Sequence, residues 1–363
     1  MRVFSCTSLF IMLWASANAQ GESEVIQIAA DTLSADLQEG GLSVEVLQAY
    51  NAGLEAYRTA QLQESIVHFS EALMQAPQFQ KARYNRAAAY LQLKQYPEAI
   101  GDLEAYLAAS DTARQAHFYL AKAYQGWGRT EQAIAAYGKA IDSGVFLEES
   151  HAQRANMYLS DGKIAAAELE LTAVIRQNPN NSRAYHDRGS CLKMQEKLSR
   201  AAEDYNRAIQ LDPKMVQAYV NLGSTYRKMD KLEEALSEYN QAIRMAPKDL
   251  IALNNRGYTY FLLEQYEKAE ADFKAVLALD AAYAYAHNNL AGVYIRQERY
   301  ADAVSSATKA IEAKADYGYA YLNRGIAREM IRDIPGACSD WEKAQAMQIK
   351  NADIYRSGTC QYK

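Results

Sequence analysis

Side chains that could do chemistry are few and scattered. The five histidines, His68, His117, His151, His186 and His287, each stand alone, with no second ligand at metal-binding spacing. No C-x-x-C, H-E-x-x-H, G-x-S-x-G or phosphate-loop pattern occurs. Acidic pairs such as Glu148–Glu149 and Glu233–Glu234 read as solvated helix faces. An enzyme, a metal or a cofactor is therefore not expected. Amide and guanidinium chemistry stands out instead. The stretch "LNNRGYTY", Leu253 to Tyr260, sets Asn254, Asn255, Arg256 and Gly257 side by side. An amide offers donors and an acceptor together, as a peptide backbone does, and a guanidinium offers a fork of donors to an anion.

The chain opens with Arg2, a largely apolar run from Val3 to Ala15, and the small residues Ala17-Asn18-Ala19 before Gln20. This is the pattern of a secretory signal over 1–19. The run is shorter than the roughly 20 residues of a membrane span, and Cys6 has no lipobox around it. We expect an exported protein with no integral membrane segment after cleavage, in a bacterial periplasm or outside the cell. In a eukaryotic host the place would be the secretory lumen, where Asn180-Asn181-Ser182 is a glycosylation sequon. A formal charge of -5 without basic clusters argues against nucleic acid. Three cysteines, Cys191, Cys338 and Cys360, remain after cleavage, enough for one bridge and one leftover thiol.

The elements that position these groups follow from internal repetition. Shifted by 34 residues the sequence aligns with itself without a gap, in nine units that open at Val46, Gln80, Arg114, Glu148, Ser182, Val216, Leu250, Ala284 and Gly318 and end at Asn351. Position 8 is always small, and position 20 is Ala from Ala99 to Ala337 with Ser65 in the first unit. Small residues at both places let two antiparallel helices approach. Position 11 is usually aromatic (Tyr90, Tyr124, Tyr158, Tyr226, Tyr260, Tyr294), and position 24 often so (Phe69, Tyr137, Tyr205, Tyr239, Phe273, Trp341). Proline at position 32 (Pro77, Pro179, Pro213, Pro247) stops a helix, while Pro97 and Pro335 fall near a helix start.

Over 46–351 the chain resembles the tetratricopeptide repeat (TPR) family. The resemblance implies an all-α, right-handed superhelical solenoid of nine helix-turn-helix units, with the first helix of each pair lining a concave groove. Residues 352–363 read as a C-terminal capping helix in the same register, and 20–45 as a lead-in whose "QEGGLS" (Gln38 to Ser43) is a flexible break. Cys338 and Cys360 lie equally far from the turn near Ile349, so a hairpin would set them side by side. Either a disulfide pins the cap there or both are buried free thiols.

Arginine recurs at position 7, as Arg86, Arg154, Arg188, Arg256 and Arg324. It could form an anion-binding ladder or pair within the fold. Position 23 should face it across the helix pair, and there stand Asp102, Glu170, Asp204, Asp272 and Asp340. Of the four units without arginine only one carries an acid, Glu238. The two columns vary together, so structural ion pairs are expected.

Position 6 reads Asn51, Asn85, Tyr119, Gln153, Asp187, Asn221, Asn255, Asn289 and Asn323. Helical spacing puts it with positions 2, 5, 9, 12 and 13 on the stripe opposite the core. Asparagine is a mediocre helix former, so propensity does not account for the column. Some peptide-clasping TPR superhelices carry such an inner asparagine ladder, and the resemblance implies the same role. The other reading is that these amides bond to the neighbouring repeat and order the stack. The run from Asn221 to Asn323 is the leading candidate. It is widened by Asn254 and Asn288, with Tyr258, Phe261, Tyr285 and Tyr319 nearby. The chaperone-type clamp needs lysine at position 5, which no unit has. The expectation is a non-enzymatic adaptor or assembly scaffold that binds a protein or extended peptide. The alternatives are a self-assembling component of an envelope or polysaccharide-export complex, or a secretory co-chaperone without its J domain.

Overall fold

The computed structural model describes residues 42–109 and 114–360. The signal expected at 1–19, the lead-in up to residue 41 and the last three residues of the expected cap lie outside those ranges. Nineteen helices and no strand occur among the described residues. The chain divides between Ala184 and Tyr185 into two units.

The first unit holds α1 (Val44–Arg58), α2 (Leu62–Gln75), α3 (Gln80–Gln92), α4 (Tyr96–Ala109), α5 (Ala116–Gly126), α6 (Thr130–Asp142), α7 (Leu147–Ser160) and α8 (Ile164–Gln177). Helix α9 (Ser182–Met194) spans the division. The second unit continues with α10 (Leu198–Leu211), α11 (Val216–Lys228), α12 (Leu232–Met245), α13 (Leu250–Leu262), α14 (Tyr266–Leu279), α15 (Ala284–Arg296), α16 (Tyr300–Ala313), α17 (Gly318–Met330), α18 (Ile334–Ala346) and α19 (Ala352–Thr359). The first helix opens at Val44, ahead of the repeat register at Val46, because Ser43 caps it by accepting from the Val46 N–H. From α1 to α8, and again from α10 to α19, each helix packs on the next. In the second unit α11 also touches α13, α13 touches α15, and α15 touches α17. First helices of successive repeats therefore crowd together, which puts them on the inner side of that unit's curve.

The gap-free register has a backbone cause. Position 15, between the two helices, takes a positive φ in every repeat, at Ala60, Lys94, Gly128, Gly162, Glu196, Asp230, Glu264, Glu298 and Arg332. The next N–H reaches back to close the first helix, as in Gln95 to the Tyr90 carbonyl and Lys231 to the Tyr226 carbonyl, both 2.9 Å. This is a Schellman-type stop. A turn of one fixed shape at the same place in every repeat keeps the 34-residue register without a gap. Only Gly128 and Gly162 use glycine there, so composition alone does not reveal the turn.

Position 20 is fully buried in all nine repeats. In the first repeat the Ser65 hydroxyl donates to the Gly53 carbonyl at 3.0 Å. Position 8 is small because position 24 stacks on it. A Cβ on Gly257 would stand 2.9 Å from the Phe273 ring, and one on Gly325 would stand 2.4 Å from the Trp341 indole. Position 11 is mostly half-buried rather than core. Its rings sit beneath cations, as Tyr260 does under Arg256 at 5.8 Å. At the end of the chain Cys338 in α18 is joined to Cys360, with the Cα atoms 5.9 Å apart and a sequence separation of 22. Tyr355 stacks on Trp341 at 5.6 Å, and the Thr359 hydroxyl donates to Glu329 at 2.6 Å. These contacts dock α19 on the last repeat. Cys191 is buried and takes no part in a disulfide.

Candidate peptide-binding face

The arginine column points across the helix pair, away from the inner face. Arg86 grips Asp102 through Nε and Nη2 at 2.7 Å each. Arg188 holds Asp204 at 2.8 Å twice, Arg256 holds Asp272 at 2.8 and 2.6 Å, and Arg324 holds Asp340 at 2.9 and 2.7 Å. Arg154 makes one bond, 2.7 Å to Glu170, whose other carboxylate oxygen meets His151 Nδ1 at 2.7 Å. A third contact, which sequence reasoning missed, reaches the second helix of the preceding repeat. Arg86 donates to the Ser70 hydroxyl at 3.0 Å, Arg256 to the Asn240 amide oxygen at 2.7 Å, and Arg324 to the Thr308 hydroxyl at 3.2 Å. One guanidinium thus ties three helices together. The signal for it was a polar residue at position 25. These arginines are occupied by the fold and are not an anion ladder. Glu148 also departs from the solvated face expected for it, since it accepts from the Asn178 and Asn181 amides at 3.0 and 2.8 Å.

The asparagine column follows a wiring rule linking positions 6 and 5. Asn85 donates to the Tyr50 hydroxyl at 3.0 Å, Asn289 to the Asn254 amide oxygen at 3.1 Å, and Asn323 to the Asn288 amide oxygen at 2.9 Å. Asn221 lies 2.9 Å from His186 Nε2. In every case position 6 reaches back to position 5 of the repeat before it, 35 residues earlier. Asn254 and Asn288 are therefore receivers in the stack, and the Asn288 amide also donates to the Tyr317 hydroxyl at 3.3 Å. Much of the ladder orders the repeats. Asn255 is the exception in the second unit. Position 5 behind it is Val220, which cannot accept, and the Asn255 side chain makes no hydrogen bond among the described residues. In the first unit Asn51 is likewise half-buried and without a preceding repeat to bond.

Beside Asn255 lie rings that face the same stripe. Tyr258 and Phe261 stack at 6.0 Å, and Tyr266 adjoins Phe261 at 5.9 Å. A second aromatic group, Tyr285, Tyr317 and Tyr319, has centroids 5.2 and 6.3 Å apart.

Position 12 carries a forward rule. Gln125 donates to Gln153 at 3.2 Å, and Lys193 donates to the Asn221 amide oxygen at 3.0 Å, each 28 residues on. Lys193 also donates to the Ser224 hydroxyl at 2.9 Å. It is almost wholly buried, and burial, with repulsion from Lys228 and Arg227, pulls its ammonium down to about 7. Asn221 in turn donates to His186 Nε2, leaving Nδ1–H to donate to Asp187 at 2.8 Å. Sequence reading passed over Lys193, His186 and Arg227. Offsets of 28 and 35 residues between different columns would have found them.

This is a repetitive helical scaffold with a row of amides and rings along the first helices of its repeats. Among the described residues no helix is long and apolar enough to cross a membrane. Tetratricopeptide repeat models match residues 50–114 and 263–320, 115–143 and 216–249, and 238–271, and a TPR repeat model matches 191–230. The chain belongs to the tetratricopeptide repeat family. No curated protein matches it. Among solved structures it is similar to the C-terminal part of a TPR repeat-containing protein from Cytophaga hutchinsonii, at 20% identity over 66% of this chain and 99% of that one, TM-score 0.59. It is also similar to a tetratricopeptide repeat protein from Parabacteroides merdae, at 17% identity over 68% and 98%, TM-score 0.51. PilW, described as a type IV pilus biogenesis factor, matches at 18% identity over 55% and 93%, TM-score 0.51. At these identities the likeness is one of fold.

Proposed function

We propose that the protein is an exported, non-enzymatic adaptor or assembly scaffold that binds an extended peptide segment of a partner on the inner face of the second unit. One observation carries the reading. Asn255 presents an amide with no partner in the fold, on a helix face that also shows Tyr258, with the buried Phe261 ring stacked beside it. Buried amides are ordinarily satisfied, and a half-exposed one beside stacked rings is suited to a backbone N–H and C=O with an apolar side chain next to them. The neighbouring amides at Asn221 and Asn289 keep part of their bonding capacity after their stack bonds, so they extend the row, while Asn323 is buried and donates to Asn288 twice. Export is supported by the signal-like start, and by the joined Cys338 and Cys360, a pairing that persists in oxidising compartments.

The test is an affinity pull-down from the host with wild type, with Asn221, Asn255, Asn289 and Asn323 together changed to Ala, and with Asn255→Ala alone. Partner recovery should fall in both variants, and thermal melts identify any loss due to unfolding. Undiminished recovery by the fourfold variant removes the reading.

A further inference from the structure

The two wiring rules of the inner face meet at one place where neither is fulfilled. Arg227 stands at position 12 of its repeat, so it is to Asn255 what Lys193 is to Asn221. Its guanidinium lies over the Tyr258 ring, 5.1 Å from the centroid. It has no acidic partner among the described residues, and its buried Nε has no hydrogen-bond partner. The backward acceptor for Asn255 is replaced by Val220. Two groups with unused N–H donors are thus set in adjoining columns on one face.

The nearby carboxylates are already engaged by other groups. Lys193 lies behind, held by Asn221 and Ser224, which are both neutral, and Arg227 and Lys228 are near enough to oppose its charge. Lys228 is answered by Glu196 at 2.7 Å, and Asp187 is engaged by His186. The cations Arg227 and Lys193 have no carboxylate beside them. A buried or half-buried cation without a counter-charge is costly, and a ligand that supplies the charge recovers that cost.

We propose that Arg227 and Asn255, backed by Lys193, receive the side-chain carboxylate of an acidic residue within the peptide bound on this face. The inference rests on the peptide-binding reading above. A planar carboxylate fits one guanidinium edge plus one amide N–H. A phosphate dianion would call for a second accessible cation, but Lys193 is buried and Lys228 is held by Glu196. Repeats continue on both sides of Asn255, so a chain lying there runs past the site and presents a side chain rather than its terminus. Tyr258 and Tyr266, packed on the buried Phe261, form the adjoining shelf, which selects an apolar or aromatic residue next to the acid.

The probe is a random peptide library displayed on phage, selected on the immobilised full chain and, in parallel, on Arg227→Gln. Wild type should return peptides with Asp or Glu beside an apolar residue, and Arg227→Gln should return no acidic enrichment. One selected peptide, made acetylated and amidated, should bind wild type about tenfold more tightly than its Glu-to-Gln copy. Arg227→Gln should not distinguish the two. Val220→Asn provides a second variant that keeps every charge. It gives Asn255 an internal acceptor and should weaken the acidic peptide. Acid-free peptides that bind wild type and Arg227→Gln equally, yet are lost in Asn255→Ala, overturn the carboxylate site while sparing peptide binding. So does binding that depends on a free C-terminus. A wild type that selects no peptide at all overturns both.

Discussion

Two successive stretches of the second unit use the same columns and end differently. Between the fifth and sixth repeats the polar chain is closed. Lys193 donates to Asn221, Asn221 to His186, and His186 to Asp187, so a buried cation is connected through two neutral side chains to a carboxylate. Between the sixth and seventh repeats the same columns hold Arg227, Asn255 and Val220, and the chain is open at both ends. A closed run is spent mainly on ordering the stack. An open run has hydrogens left for something that is not part of the chain. The contrast teaches that an asparagine column is not one site: its members are scaffold or ligand-facing according to what stands 28 residues before and 35 residues before each.

The contrast is most strongly broken at Asn221. Asn221→Leu takes the acceptor from Lys193 and the donor from His186, leaving the buried ammonium with Ser224 alone. We expect a loss of about 3 kcal/mol in urea unfolding, in the range for an unsatisfied buried charged group. The matched change at the open end, Asn255→Leu, strands nothing and should cost under about 0.5 kcal/mol. Equal losses at the two positions would erase the distinction.

The closed run also predicts a pH dependence. Lys193 has a folded pKa of about 7, below the ordinary lysine value. Between the two values the unfolded chain binds more protons, so stability rises with pH from near 7 towards 10 and is least below 7, where both states are charged. The rise between pH 6.5 and 9.5 should be about 3 kcal/mol, each pH unit over which only the folded state is deprotonated being worth about 1.4 kcal/mol. In Lys193→Met the rise should flatten, and unfolding midpoints at pH 6.5 and 9.5 measure the difference.

Much of the fold was legible because one period governs everything. Small residues at positions 8 and 20 and rings at 24 recur at 34 residues, and each mark has a packing cause that the structure shows. The arginine and acid columns were readable because both fall within a single repeat and vary together. The candidate site was less legible, since its bonds join different columns of different repeats, and reading down one column cannot reveal them. The inter-helix turn was hidden for another reason. Its left-handed residue is Ala, Lys, Glu, Asp or Arg in seven repeats, held there by the hydrogen bonds that close the helix rather than by glycine.

The open and closed contrast recurs in the arginine columns. In the sixth repeat Leu222 stands where arginine would be, and Glu238 keeps its place across the pair. Burial raises the Glu238 carboxyl above its usual range. A raised carboxyl costs nothing where both states are protonated, below about pH 4, and costs progressively more as pH climbs through its folded value. Glu238→Gln should therefore stabilise the protein at pH 7 by about 0.5 to 1 kcal/mol, a small figure because the group is partly solvated, and the gain should vanish near pH 4. Asp272→Asn, in the next repeat, should act in the opposite direction, since it unpairs Arg256. Thermal melts of both variants at pH 4 and pH 7 give the signs.

The smallest stability effect tests the open end itself. Arg227 has no acidic partner to lose, so Arg227→Gln should leave unfolding within about 0.5 kcal/mol of wild type. Removing one of two mutually repelling cations should even raise the Lys193 ammonium, since Arg227 is one of the charges that depress it. Replacing Arg227 should therefore shift the pH at which stability begins to rise upward while barely changing stability at neutral pH. A side chain that held the stack together would do the reverse, lowering stability at every pH and leaving that onset where it was.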